Sequence, residues 1–195
     1  MARHREFDPR QALHRAMLVF WEKGYEASSL RDLTEHMEIS RQSLYDTFGD
    51  KHQLFLAALD HYEQTVLEPA IQKLSQPDSG LNTITEVFTE IRSGILEKGP
   101  GACFVAVSAV DLGHLDGTVR AKVQAYIHRL HHAFTVAMQN ALDRDEMIRQ
   151  DRNPRTLAAY LISSLLGLGI LSRSGIAAED LHGIVDTILS TLTAA

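Results

Sequence analysis

Apolar residues recur along the chain at three- and four-residue intervals, and alternation at period two is nowhere sustained, so the sequence predicts an all-α protein without a sheet. Leu13, Ala16, Met17, Phe20 and Trp21 share one stripe of a first amphipathic helix. Asp8 is placed to cap it, with Gln11 as capping-box partner. Pro9 sits in the first turn where a missing N–H costs nothing, and Gly24 offers a left-handed stop. Ser29 with Asp32 opens a second helix of about two turns that buries Leu30, Leu33 and Met37 and ends at Glu38-Ile39. Ser40 caps a third, from about Arg41 to Thr47, which turns only Leu44 and Phe48 inward and leaves Arg41, Gln42, Ser43, Tyr45 and Asp46 mostly outward. Gly49 ends it. Asp50, boxed by Gln53, caps a longer fourth helix carrying Leu54, Phe55, Ala58, Leu59, Tyr62 and Val66, which Pro69 is expected to bend or end.

Farther on the pattern changes to longer, more apolar and less punctuated helices, expected at Leu81 to Glu97, Ala102 to Leu112, Thr118 to Leu142, Pro154 to Ser174 and Ala178 to Leu192. This divides the chain into a compact N-terminal unit, residues 1–54, and a larger helical unit, residues 55–195. Gly167-Leu168-Gly169 lies inside an apolar helical run with no strand before it, so it signals close helix packing rather than a nucleotide loop. Leu157, Leu161, Leu165, Leu168 and Leu171, followed by Ile184, Val185, Ile188, Leu189 and Leu192, are more than a helix pair needs to cover a small core. They predict a four-helix dimer interface built from the last two helices of each subunit.

The chain has 195 residues, 45% of them hydrophobic and 23% charged, which is enough to bury a core without staples. Cys103 is the single cysteine, so an internal disulfide is excluded and no zinc-binding Cys/His spacing exists. The N-terminal MARHREFDPR carries charges where a signal peptide needs an apolar segment. Thr156 to Ser172 is the longest uncharged stretch, and it falls short of the ~20 apolar residues of a membrane span. A cytoplasmic protein without membrane partners is expected. Cys103 sits in an apolar run with no basic neighbour in sequence, which favours a buried structural thiol over a sensor of oxidants.

The two short helices and the tight turn between them make a helix-turn-helix unit, with the second helix offering polar groups to a partner. A DNA major groove admits one α-helix, and residues near its N-terminus reach the base edges, where Arg41, Gln42 and Ser43 fall. Ser29 and Ser40 at helix N-termini, with Tyr45 and Lys51, suit phosphate contacts. Net charge is −6, and residues 1–54 hold 8 Lys or Arg against 9 Asp or Glu, so the cationic rim must come from placement: Arg3, Arg5 and Arg10 in or beside the arm, and Arg41 and Lys51 around the third helix.

The stretch GYEASSLRDLTEHMEISRQSLYDTFGDKHQLFLAALDHY resembles the DNA-binding motif of the TetR family of bacterial transcriptional regulators, over about Pro9 to Tyr62. The matching features are Phe20 and Gly24-Tyr25, Ser28-Ser29, Ile39-Ser40, Leu44-Tyr45, Phe48 and Lys51. The resemblance implies a dimeric all-helical regulator, typically a repressor, whose N-terminal domains bind a palindromic operator in double-stranded DNA. It also implies a C-terminal domain with a small-molecule pocket whose occupation usually releases DNA. Glu38 stands where similar sequences commonly place Gly; a positive φ there would cost on the order of 1 kcal/mol.

Apolar positions Phe88, Ile91, Ile95, Phe104, Val107, Tyr126 and Phe134 are candidate pocket walls, with polar groups from Ser108, Asp111, His114 or His128, which suits a mostly apolar ligand. His128, His131 and His132 share one helix face, but no acidic or thiol partner is identifiable, so neither a metal site nor a cofactor is expected. No nucleophile, base and orienting partner occur at interpretable spacing, so an enzyme is not expected either. The alternative is an all-helical small-molecule or metal-binding protein that binds no operator.

Overall fold

The computed structural model describes residues 7–97, 103–146 and 152–193, all of the regular structure among them helical. Ten α-helices follow in order: α1 Pro9–Lys23, α2 Leu30–Met37, α3 Arg41–Phe48, α4 Lys51–Tyr62, α5 Glu68–Leu74, α6 Leu81–Glu97, α7 Phe104–Asp111, α8 Gly117–Asp143, α9 Pro154–Arg173 and α10 Ala178–Ser190. The caps act locally. Asp8 accepts from the Arg10 N–H, Ser40 from Ser43 and Asp50 from Gln53, while Ser29 and Asp32 exchange bonds in a reciprocal capping box. The expected start of α7 at Ala102 lies outside the described residues.

Pro69 does not end the fourth helix. A π-turn, Glu63–Leu67, joins α4 to α5 without a break, with the Glu68 N–H donating to the Glu63 carbonyl. The wider turn leaves Pro69 in the first turn of α5, where its missing N–H is tolerated. It also changes which side chains face inward: Val66, expected on the buried stripe, is 42% exposed.

Apolar side chains gather in two clusters. The front one joins α1, α2, α3 and α4 around Met17, Phe20, Leu33, Leu44 and Phe55, and draws in Phe104 and Val105 from α7 and Val119, Val123 and Tyr126 from α8. The rear one joins α5, α6, the second half of α8, α9 and α10 around Phe88, Phe134, Leu161 and Ile188. Thus α8 runs through both, and α4 with Tyr62 belongs to the front.

Polar ties also connect the two parts. The Arg173 guanidinium at the end of α9 donates to the carbonyls of Trp21 (2.9 Å) and Glu22 (3.1 Å), a cation at the negative end of α1. The Tyr25 N–H meets Asp111 Oδ2 at 3.3 Å, and beside it Gly24 has φ 81°. That left-handed φ favours glycine, and a Cβ there would stand 2.5 Å from the carboxylate oxygen, so the Asp111 side chain would have to shift. Asp60 of α4 accepts from Lys122 and from the Tyr126 hydroxyl at 2.9 Å, both on α8.

Candidate nucleic-acid interface and effector cavity

The helix-turn-helix unit is held by a few buried residues, which leaves the rest of α3 free. Leu33 and Met37 of α2, Leu44 of α3 and Leu54 of α4 are fully buried or nearly so. The turn between α2 and α3 closes on Glu38 in the left-handed conformation, φ 57° and ψ 40°, and the Ile39 N–H reaches back to the Thr34 carbonyl at 3.2 Å. The expected positive φ is therefore present with a non-glycine residue, whose carboxylate pairs with Arg15 of α1 at 2.5 Å.

On α3, Arg41, Gln42, Tyr45 and Asp46 are exposed and Ser43 is half-buried, with Leu44 on the opposite side. Gln42 stands near the middle of this outward face and donates to Asp46 Oδ1 at 2.7 Å. The Asp46 carboxylate, outward as the helix periodicity predicts, acts on the neighbouring turn. It fixes one amide hydrogen of Gln42 and leaves the amide oxygen and the other hydrogen to a partner.

The phosphate candidates differ in availability. Ser40 Oγ accepts the Ser43 N–H at 3.0 Å and lies 2.9 Å from Ser43 Oγ, at the N-terminus of α3 where N–H groups point outward. Ser29 Oγ is engaged with the Asp32 carboxylate, which also takes a bond from Lys23 Nζ at 2.6 Å. The Lys23 bond, then the Ser29 hydroxyl and N–H, hold the Asp32 carboxyl well below the usual carboxylate range, so an anion stands beside Ser29. Lys51 Nζ lies 4.3 Å from the centroid of the Tyr25 ring, a cation–π contact, and burial lowers its pKa. Arg3 and Arg5 lie outside the described residues.

Between the two clusters lies a cavity of about 490 Å³. Of the proposed walls, Ile91, Tyr126 and Phe134 line it, while Phe88 and Phe104 are fully buried away from it and Val107 does not border it. The Ile95 side chain lies outside those described. None of the polar candidates borders it: the Ser108 hydroxyl donates to the Phe104 carbonyl within α7, Asp111 faces Tyr25, and His114 and His128 are exposed. Instead Met17, Leu18 and Trp21 of α1, Tyr62, Val66 and Leu67 of the α4–α5 run, and Ile162, Leu165 and Leu166 of α9 contribute. Met17 and Trp21 pack as their stripe predicts and also form cavity wall. No signal within α1 distinguishes the two duties, because an apolar face is the same in sequence whether it meets core or cavity.

Cys103 is half-buried at this wall and its Sγ accepts from the Tyr62 hydroxyl at 3.6 Å. His131 Nε2 lies 3.0 Å from the Arg155 carbonyl oxygen. Among the described residues no group of three His, Cys, Asp or Glu side chains is placed to hold a metal ion.

Comparison with known proteins agrees with this arrangement. Residues 12–58 match the bacterial regulatory proteins of the tetR family, and residues 80–183 match the tetracyclin repressor-like C-terminal domain. The uncharacterized HTH-type transcriptional regulator YezE of Bacillus subtilis (strain 168) is 34% identical, over 98% of this chain and 100% of its own. The HTH-type transcriptional repressor ComR of Escherichia coli (strain K12) is 28% identical, over 96% of this chain and 90% of its own. Among solved structures, a cysteine-substituted CifR, a TetR family regulator complexed with 26-base-pair operator DNA, superposes with a TM-score of 0.85. It is 30% identical, over 97% of this chain and 99% of that one.

Proposed function

The chain belongs to the TetR family of bacterial regulatory proteins, and from that premise we propose that it is a cytoplasmic, homodimeric repressor whose paired α3 helices bind a palindromic operator until an effector fills the cavity. It is a DNA-binding transcriptional regulator of the helix-turn-helix type. The observation that carries the proposal is the outward face of α3, polar from Arg41 to Asp46 on a unit whose buried residues are already satisfied.

In this reading Arg41, Gln42 and Ser43 meet base edges. Arg pairs with guanine and Gln with adenine, the latter pre-aligned by Asp46. Ser40, Tyr45 and Lys51 meet phosphates and set register, with Ser29 at the edge of the contact. The N–H donors at the N-terminus of α3 are the attractive feature for an anion.

The dimer forms through the outward faces of α9 and α10. Tyr160, Ser163, Ile170 and Leu171 are exposed on α9, and around Gly167 and Gly183 an added Cβ would meet nothing within 4 Å, so a second copy's helices can approach closely. Leu157, Leu161, Leu168, Val185, Ile188 and Leu192, assigned from the sequence to this interface, are instead buried within the subunit, and Leu165 borders the cavity.

Effector and operator are coupled because α1 and the α4–α5 run are both cavity wall and support for α2 and α3. Coupling of this kind is typically 1–3 kcal/mol and reciprocal, so operator binding weakens effector binding equally. Selection of bound sequences from random duplex DNA tests the reading. The expected product is a palindrome with half-sites about one helical turn, 34–36 Å, or a multiple apart. Recovery of unrelated sequences at the frequency of the input library would refute it.

A further inference from the structure

The chemistry of the cavity wall says what class of effector it takes, an inference that rests on the effector half of the proposed function. Among the described residues no lysine or arginine borders it. The one carboxylate among its described residues, Glu90, is engaged by Lys73. His14, the one histidine on the wall, is exposed and its Nδ1 lies 3.2 Å from His61 Nε2. An anion placed among Met17, Trp21, Leu130 and Phe134 would lose its hydration with no lysine or arginine among the described wall residues to pair with it.

The polar atoms of the wall are few and unequal. The Tyr126 hydroxyl is spent on Asp60 at 2.9 Å. The Tyr62 hydroxyl donates only to Cys103 Sγ, 3.6 Å away, and sulfur is a weak acceptor. Burial holds that phenol protonated, with its pKa pushed well above the usual value, so it stays a donor. A ligand oxygen is a better acceptor than the thiol it would replace.

We infer that the cavity takes an uncharged, largely hydrocarbon molecule bearing one hydrogen-bond-accepting oxygen, held by the Tyr62 hydroxyl, and rejects anions of the same shape. Its volume of about 490 Å³ lies within the range of ligand sites. Trp21, the only tryptophan, stands in the wall and reports occupation directly.

The test uses the full chain without DNA and two probes sharing one skeleton: neutral N-phenyl-1-naphthylamine and its sulfonate, 8-anilino-1-naphthalenesulfonate. Energy transfer from Trp21 to the neutral probe should saturate at a concentration at least tenfold lower than for the sulfonate. Gly94 of α6 borders the cavity and an added Cβ there meets nothing within 4 Å, so Gly94→Met should abolish transfer to the neutral probe while raising the unfolding midpoint. Equal or tighter binding of the sulfonate, or unchanged transfer in a folded Gly94→Met, overturns the inference.

The oxygen-binding role is tested with the ketone 6-propionyl-2-(dimethylamino)naphthalene, whose emission moves to the red when its carbonyl accepts a hydrogen bond. Tyr62→Phe should shift that emission to the blue and weaken binding severalfold, leaving N-phenyl-1-naphthylamine unaffected. Emission identical in the two proteins overturns the Tyr62 assignment. Neutral-probe binding by a chain that selects no DNA sequence would sink the operator reading and support the cavity chemistry; the converse result would do the reverse.

Discussion

Glu38 shows how much a single residue can reveal. Its position between two capped helices marks a turn needing a left-handed residue, and the structure places it at φ 57° with Arg15 as partner. Relief of the left-handed strain is worth about 1–2 kcal/mol, and the pair it would forfeit, exposed on the glutamate side, about 0–1 kcal/mol. Glu38→Gly should therefore raise stability by about 1 kcal/mol, seen as a higher urea midpoint at unchanged slope; a lower midpoint would mean that the ion pair outweighs the strain. Asp32 was legible as a box partner because the Ser29 spacing is local, but its bond to Lys23 of α1 was not. Those bonds lower its folded pKa below the unfolded value near 4, so the folded state binds fewer protons. The stability Asp32 adds is complete above the unfolded pKa and is lost as pH falls toward the folded one. The gap in urea midpoint between wild type and Asp32→Asn should be constant above about pH 5 and narrow progressively below about pH 4.

At the scale of elements, α3 divides its labour by face. Lys51, at the start of α4, is held over Tyr25 and touches no base in the proposed geometry, whereas Arg41 projects from the first turn of α3. Lys51→Ala should weaken binding to all duplexes alike and lower the slope of log K against log salt by about 1. Arg41→Ala should also flatten the preference for one base pair, by about 1–3 kcal/mol. Fluorescence anisotropy on operator and mismatched duplexes at several salt concentrations separates them, and identical losses of specificity in both would contradict the assignment. The first four helices were legible because each is bounded by its own cap and stop within a few residues. The π-turn was not: Pro69 announces an interruption, but whether the chain breaks or widens by one residue depends on packing against α8, where Arg129 reaches both Glu63 and Glu68.

The whole molecule sets the limit on what an apolar run can tell. Composition identified α9 and α10 as carrying more hydrophobic surface than a small core needs, yet three destinations compete for it: the rear core, the cavity and a second subunit. Leu161 and Leu168 go to the first, Leu165 and Leu166 to the second, and Ile170 and Leu171 are left exposed. Three-dimensional placement makes this division, because residues one helical position apart point about 100° from each other and face different neighbours. Substitutions that break the dimer therefore belong on the exposed stripe and not at Leu165, which borders the cavity. Gly167→Arg and Ile170→Asp each place a charge where two copies of α9 would meet, while disturbing neither core. Sedimentation should show monomers for both. Affinity for the full palindrome should fall at least a hundredfold because the two reading heads no longer bind as one unit, whereas the weak affinity for a single half-site stays as it was. Leu165→Asp should instead abolish neutral-probe binding. Dimers that persist in Gly167→Arg and Ile170→Asp would place the symmetry axis on another face of the molecule.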